Sequence, residues 1–171
     1  MDLVMVALRV LHILAGTFWA GAALMMVGFL APTIQASGPE GGKVMQGLMQ
    51  RSRFPTVMAL AALVTTICGV VLFWRVSGGL QASWLATGQG VGLTISSLAG
   101  IVALVEGFTI TNREAMRLAA LGKAIQAAGG PPSPAQMAQM RETQEKIARG
   151  GEIGAVLLAV SVIGMAAARY L

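Results

Sequence analysis

Charge is scarce in this chain of 171 residues. Only 11% of them are Asp, Glu, Lys or Arg, against about 25% in an ordinary soluble domain. With 56% hydrophobic residues and a mean hydropathy of +0.73, that deficit excludes a soluble globular domain and a disordered tail. Cysteine is nearly absent too. A single Cys68 rules out an intramolecular disulfide scaffold and any zinc or iron–sulfur spacing. It lies inside an apolar run and reads as a small buried hydrophobe. Histidine also occurs once, as His12. No phosphate loop, dinucleotide fingerprint, nucleophile elbow or zinc-protease helix is present, so the reading leans away from an enzyme. The net charge is +5, but no basic stripe carries interleaved aromatics, which excludes nucleic acid as a partner.

What is present is long apolar runs. A helical span needs about 20 mostly apolar residues, because the hydrocarbon core is roughly 30 Å thick and a helix rises about 1.5 Å per residue. Four segments meet that length or come near it: 10–31, 54–74, 91–111 and 153–170. No run alternates as a membrane barrel would. The pattern predicts an all-α, four-transmembrane-helix antiparallel bundle, one membrane domain over residues 1–171, with the lipid bilayer as its surroundings. The first segment reads as a retained span, since Asp2 replaces the basic cluster of a signal peptide and the apolar run is too long for one.

Basic residues set an orientation. The first and third loops hold Lys43, Arg51, Arg53, Arg113, Arg117, Lys123, Arg141, Lys146 and Arg149, against Arg9, Arg75 and Arg169 on the other side. The positive-inside rule then places both termini outside and these two loops in the cytoplasm. Trp74, Trp84 and Tyr170 fall near the outer interface, where amphipathic rings settle. In the first loop, a turn cluster over 37–42 is followed by Lys43 to Arg53, with apolar residues at helical spacing, either an interfacial helix or a lead-in to the second span. The third loop reads as a cytoplasmic helical hairpin over about 112–150. Its first arm, Asn112 to Ala128, continues the third span. Gly129 to Pro134 breaks the pattern, Ser133 caps the next helix with Pro134 at its first position, and Glu142/Lys146 and Glu145/Arg149 form (i, i+4) pairs. Gly150-Gly151 marks the start of span four.

Small residues suit close helix approach. Gly16-x-x-x-Ala20 lies on the face of His12, and Gly21, Gly28, Gly88, Gly92, Gly100, Gly164 and Ala168 read as packing positions. Ionisable residues inside a membrane cost roughly 3 kcal/mol each at mid-span, so Arg9, His12 and Glu106 are the functional candidates. His12 is a haem or metal ligand, a proton acceptor or an interhelical hydrogen-bond donor. Arg9 either snorkels to the headgroups or holds an anionic group such as a haem propionate or lipid phosphate. Glu106 either pairs with Arg113 or a first-loop basic residue, or forms a proton or ion site open to the cytoplasm. His12 and Glu106 sit toward opposite membrane faces. The 11 methionines read as packing; Met5 stands two turns from His12, about 10 Å, too far to share an ion.

The stretch Leu11-His12-Ile13-Leu14-Ala15-Gly16-Thr17-Phe18-Trp19-Ala20-Gly21 resembles the first helix of copper-resistance-D-like small bacterial integral membrane proteins of uncharacterised function. The ending Met165 to Leu171 resembles them as well, and a similar His…Trp helix opens the membrane-bound, haem-containing protoporphyrinogen oxidase of bacteria. The resemblance implies the bacterial cytoplasmic (inner) membrane and a haem or metal ligand at His12. Haem b is the candidate cofactor, with Arg9 and Trp19 as its candidate neighbours. A bis-histidine haem needs a second histidine, so His12 would act alone, with a methionine, or with His12 of a second protomer. The oxidase carries a basic residue inside a later span, and this chain has none there. Three readings follow: a small membrane protein holding haem or metal at His12; a structural or accessory subunit of a membrane complex, or a homodimer, with no cofactor; and a haem-dependent oxidoreductase or a small cation or copper transporter.

Overall fold

The computed structural model describes residues 2–171, the side chain of Pro39 excepted, and these residues form helices with no strand. Four helices are long and apolar enough to cross a membrane. Helix α1 runs Leu3–Ala36 with a π-helical segment at Met26–Leu30. Helix α2, Gly38–Gln46, continues as a π-helical turn through Gly47–Arg51. Helix α3 is Phe54–Val76, and α4 is one short turn, Ala82–Leu85. Helix α5, Gly88–Ala127, carries a π-helical segment at Gly107–Thr111, and α6 is Pro134–Tyr170.

Each start and stop has a local cause. The Asp2 carboxylate accepts from the amides of Val4 and Met5, at 3.1 and 3.3 Å, and caps α1. Thr87 Oγ1 accepts from the Gly90 amide at 3.0 Å and caps α5. Ser133 caps α6 through a full capping box with Gln136, as its place before Pro134 predicts. Between α3 and α4 the chain turns through Gly78, Gly79 and Leu80, all at positive φ. Buried Ser77 fixes that turn: its hydroxyl donates to the Trp74 carbonyl and accepts from the Leu80 amide at 2.9 Å.

The helices close into a square. Helix α1 packs extensively on α3, and α5 on α6, while α1 meets α6 and α3 meets α5 over smaller seams. The register is antiparallel in both large contacts. Gly69 faces His12 and Gly16 faces Thr65; Gly92 faces Ala168, Gly100 faces Ser161 and Gly154 faces Glu106. The interior is small and partly polar: Ala20, Ala62, Ala99, Ala103, Ala155, Leu158, Thr65, Ser96 and Ser161 are buried. Large apolar side chains point outward, with Ile13, Leu14, Phe29, Ile67 and Ile163 each at least 60% exposed. Such a surface would aggregate in water. In lipid it is the expected arrangement, because spans there associate through small residues rather than by hiding large ones. The chain is a small multi-pass membrane protein.

Helix α6 runs unbroken through Gly150-Gly151, so the arm before it is a direct extension of span four, and Gly150 is buried against Glu106 and Thr111. Several local expectations change. The first-loop helix starts at Gly38 rather than Lys43. Gly21 and Gly28 face no neighbour within 4 Å, so they are not contact positions within the chain. Of the two expected pairs on α6, Lys146–Glu142 forms at 2.7 Å. Glu145–Arg149 does not form among the described residues.

Candidate functional site

His12 sits on α1 one turn before Gly16, and both residues face α3. The imidazole Nδ1 lies 2.7 Å from the backbone carbonyl of Thr65. A carbonyl only accepts, so Nδ1 carries the proton and donates it there. The Thr65 hydroxyl donates back to the His12 carbonyl at 2.9 Å, and its oxygen lies 3.3 Å from Nδ1. Two glycines allow this. A Cβ at Gly69 would stand 2.9 Å from the imidazole Cε1, and one at Gly16 would stand 2.9 Å from Thr65 Oγ1. The result is a reciprocal clamp between the first two spans in which Nε2 takes no part.

The other two candidates for that site do not join it. Arg9 is exposed and has no hydrogen bond or ion pair among the described residues, which fits a side chain reaching for headgroups. Trp19 is partly buried on the core formed by Ala20, Ala103 and Leu158. It is a packing residue two turns further along α1. No group of three or more His, Cys, Asp or Glu side chains gathers among the described residues, and Cys68 is buried in α3.

Glu106 stands elsewhere, at the last α-helical position before the π-helical segment of α5. Among the described residues it pairs with neither Arg113 nor a first-loop basic residue, the first of its two expected alternatives. Its Oε1 accepts from the Thr111 hydroxyl at 2.7 Å. In a regular α-helix, residues five apart point about 140° away from each other. The wider π turn brings the fifth residue back into line, and that is what delivers Thr111 to Glu106. Helix α6 receives the pair with glycine. A Cβ at Gly150 would meet both the Glu106 carboxylate and the Thr111 hydroxyl, and one at Gly154 would lie 3.3 Å from Oε2. A carboxylate with a hydroxyl partner and no cation suits a proton or ion site, and it also locks α5 onto α6. His12 and Glu106 belong to different helix pairs, as their positions along the spans imply.

Between α1 and α6 runs an open groove of about 420 Å³, lined by Leu24, Val27, Gly28, Ala155, Val156 and Ala159, with Glu152 on its wall. It is apolar and reaches neither His12 nor Glu106.

No family model, curated protein or solved structure matches this chain. The reading of the site therefore stands on its own residues. Thr65, Thr111, Gly69, Gly150 and Gly154 complete the two sites, and inspection of the sequence for costly residues passes over them. Thr65 shares a helix face with Ala62 and Gly69, and that face of small and polar residues is the one signal that marks it.

Proposed function

We propose that the chain is a structural or accessory subunit of the bacterial inner membrane. Both termini lie outside, and α2 and the α5–α6 hairpin lie in the cytoplasm. The observation that carries this reading is the clamp at His12. The histidine's Nδ1–H and backbone carbonyl are both committed to Thr65, so the costliest residue of the first span is accounted for by helix association. The hairpin adds support. Residues 112–127 of α5 and the facing turns of α6 extend beyond the span by about 24 Å at 1.5 Å per residue, far enough to meet a partner. Nine basic residues in the first and third loops, against three elsewhere, support the orientation.

A second reading rests on one specific observation. With Nδ1 protonated and held by a backbone carbonyl, His12 has the tautomer and the outer support that metal-ligating histidines use. Nε2 would then be a single axial ligand to haem or a metal, as the resemblance to copper-resistance-D-like proteins implies.

One experiment separates the two. The protein is purified in detergent from cells supplied with haem, and its spectrum is taken before and after dithionite beside His12→Ala, with metal analysis. The accessory reading expects no Soret band, no stoichiometric metal and a variant that accumulates poorly. A Soret band that shifts on reduction and vanishes in a well-expressed His12→Ala protein would replace it with the ligand reading. Cysteine labelling of the third loop in intact cells tests orientation; labelling from outside would reverse it.

A further inference from the structure

Helix α2 and its π turn stand apart from the bundle. They touch only the adjoining ends of α1 and α3 and no other span. Those two ends belong to consecutive spans, so they emerge at the same membrane face and hold α2 at that face. The bend that begins it is tight: Gly38 is at φ +59, and a Cβ at Gly41 would collide with the Ile34 carbonyl. Along the helix, Gly41, Val44, Met45 and Leu48 recur at i, i+3, i+4 and i+7, one apolar face. Of these, Gly41 is buried against the end of α1 and Met45 and Leu48 are partly covered, while Val44 stands 63% exposed and Met49, beside the face, 37% exposed. Lys43, Gln46 and Gln50 take the opposite side. The segment through Arg53 holds Lys43, Arg51 and Arg53 against one acid, Glu40, which forms an exposed ion pair with Lys43 at 2.7 Å. Arg51 and Arg53 are exposed and make no ion pair among the described residues.

We propose that Gly38–Arg53 is a membrane-surface element that docks on anionic phospholipid headgroups, with Val44 and the exposed edge of Met49 set among the upper acyl chains and Lys43, Arg51 and Arg53 on the phosphates. An apolar stripe beside basic residues, held at the interface by both ends, is the physical description of such a helix. Anionic lipid attracts each nearby Lys or Arg separately. The proposal rests on the chain being membrane-embedded and is independent of the accessory-subunit reading.

The test uses the full chain with Cys68→Ala and a single bimane-labelled cysteine, introduced by Val44→Cys or Gln50→Cys. Each protein is reconstituted in vesicles of phosphatidylcholine, or of phosphatidylcholine with an equal part of phosphatidylglycerol. Both leaflets share one composition, so the result does not depend on which way the chain faces. In the anionic vesicles, the label at position 44 should be quenched by a nitroxide near the lipid headgroup, and several-fold less by aqueous acrylamide than the label at position 50. That protection should grow on adding phosphatidylglycerol, and the growth should vanish in the Lys43→Gln, Arg51→Gln, Arg53→Gln variant. Equal acrylamide quenching at both positions overturns the proposal. So does protection without lipid quenching, which would mean that protein covers the face. Protection that ignores both phosphatidylglycerol and the basic residues overturns it as well.

Discussion

Thr65 gives its carbonyl and its hydroxyl to one histidine, so the pair is more tightly coupled than its single hydroxyl suggests. Interhelical hydrogen bonds in membranes average about 0.6 kcal/mol and reach about 1.7 kcal/mol. Thr65→Val removes the hydroxyl and keeps the shape, and should cost about 1 kcal/mol in a reversible denaturant titration in mild detergent. His12→Ala loses the other bond of the clamp, from Nδ1–H to the Thr65 carbonyl, and the packing against Gly69, while its backbone carbonyl can still accept from the Thr65 hydroxyl. In a double-mutant cycle the two should couple by at least about 0.5 kcal/mol, as residues in direct contact do. Additive losses would show that the two bonds act independently rather than as one clamp. Glu106 calls for a different comparison. Glu106→Gln keeps an oxygen for the Thr111 hydroxyl, whereas Glu106→Leu leaves that hydroxyl unpaired and forces a branched side chain against Gly150 and Gly154. If the residue only locks α5 onto α6, the Gln protein should match the parent in stability, and the Leu protein should lose about 1–3 kcal/mol. Should both variants be equally unstable, the charge itself holds the site. At this scale the sequence made His12 and Glu106 conspicuous, because ionisable groups are costly in lipid. It hid their partners, because Thr65 is fixed by the register between two spans and Thr111 by a π turn that no hydrophobic period announces.

Among the elements, those with side-chain punctuation were the legible ones. The Gly129–Pro134 break, the Ser133 cap and the Lys146–Glu142 pair all stand where residue type places them. The Gly150-Gly151 pair stands where span four begins, inside a continuous helix; what the residue types did not announce is that Gly150 makes room for Glu106 and Thr111. The capping box has a measurable consequence. Ser133→Ala should cost the first turn of α6 about 1 kcal/mol, seen as faster amide exchange at the start of α6 with the span segments unchanged. Equal acceleration along the whole of α6 would deny the cap its local role. The hairpin should also respond to acid. A hydrogen bond from Lys146, and then its charge, hold the Glu142 carboxyl below its ordinary value of 4.5. A depressed carboxylate stabilises the fold above the unfolded value and loses that contribution as the pH falls through the folded one. Protection of the amides around 142–146, corrected for intrinsic rates, should therefore decline as the pH drops below 4.5. The decline should be small and salt-sensitive, because the pair is exposed, and absent in Lys146→Gln.

The whole molecule is two hairpins set side by side. The α1–α3 contact holds the His12 clamp, the α5–α6 contact holds Glu106 and the serine–glycine register, and the two seams between the hairpins are smaller and, among the described residues, bring no hydrogen bond across. The division does not follow loop length, since α3 and α5 are joined by the short link 77–87 and yet meet over a small seam; it follows the small-residue faces, with Gly16 and Gly69 in one large contact and Gly92, Gly100 and Gly154 in the other. It predicts a hierarchy of unfolding. A protease site placed in the exposed part of the turn over 78–83 should allow cleavage without loss of helix, and the halves should stay together in mild detergent. As the detergent is made harsher, energy transfer between labels on α3 and α5 should be lost first. Transfer between α1 and α3, and between α5 and α6, should persist until helix content falls. Cooperative loss of all three signals at one detergent concentration would mean that the seams bind as firmly as the hairpins. Glycine substitutions would then order themselves by the same logic. Gly16→Leu and Gly69→Leu should open the first hairpin and leave the second intact, because a Cβ at either position runs into the His12–Thr65 clamp.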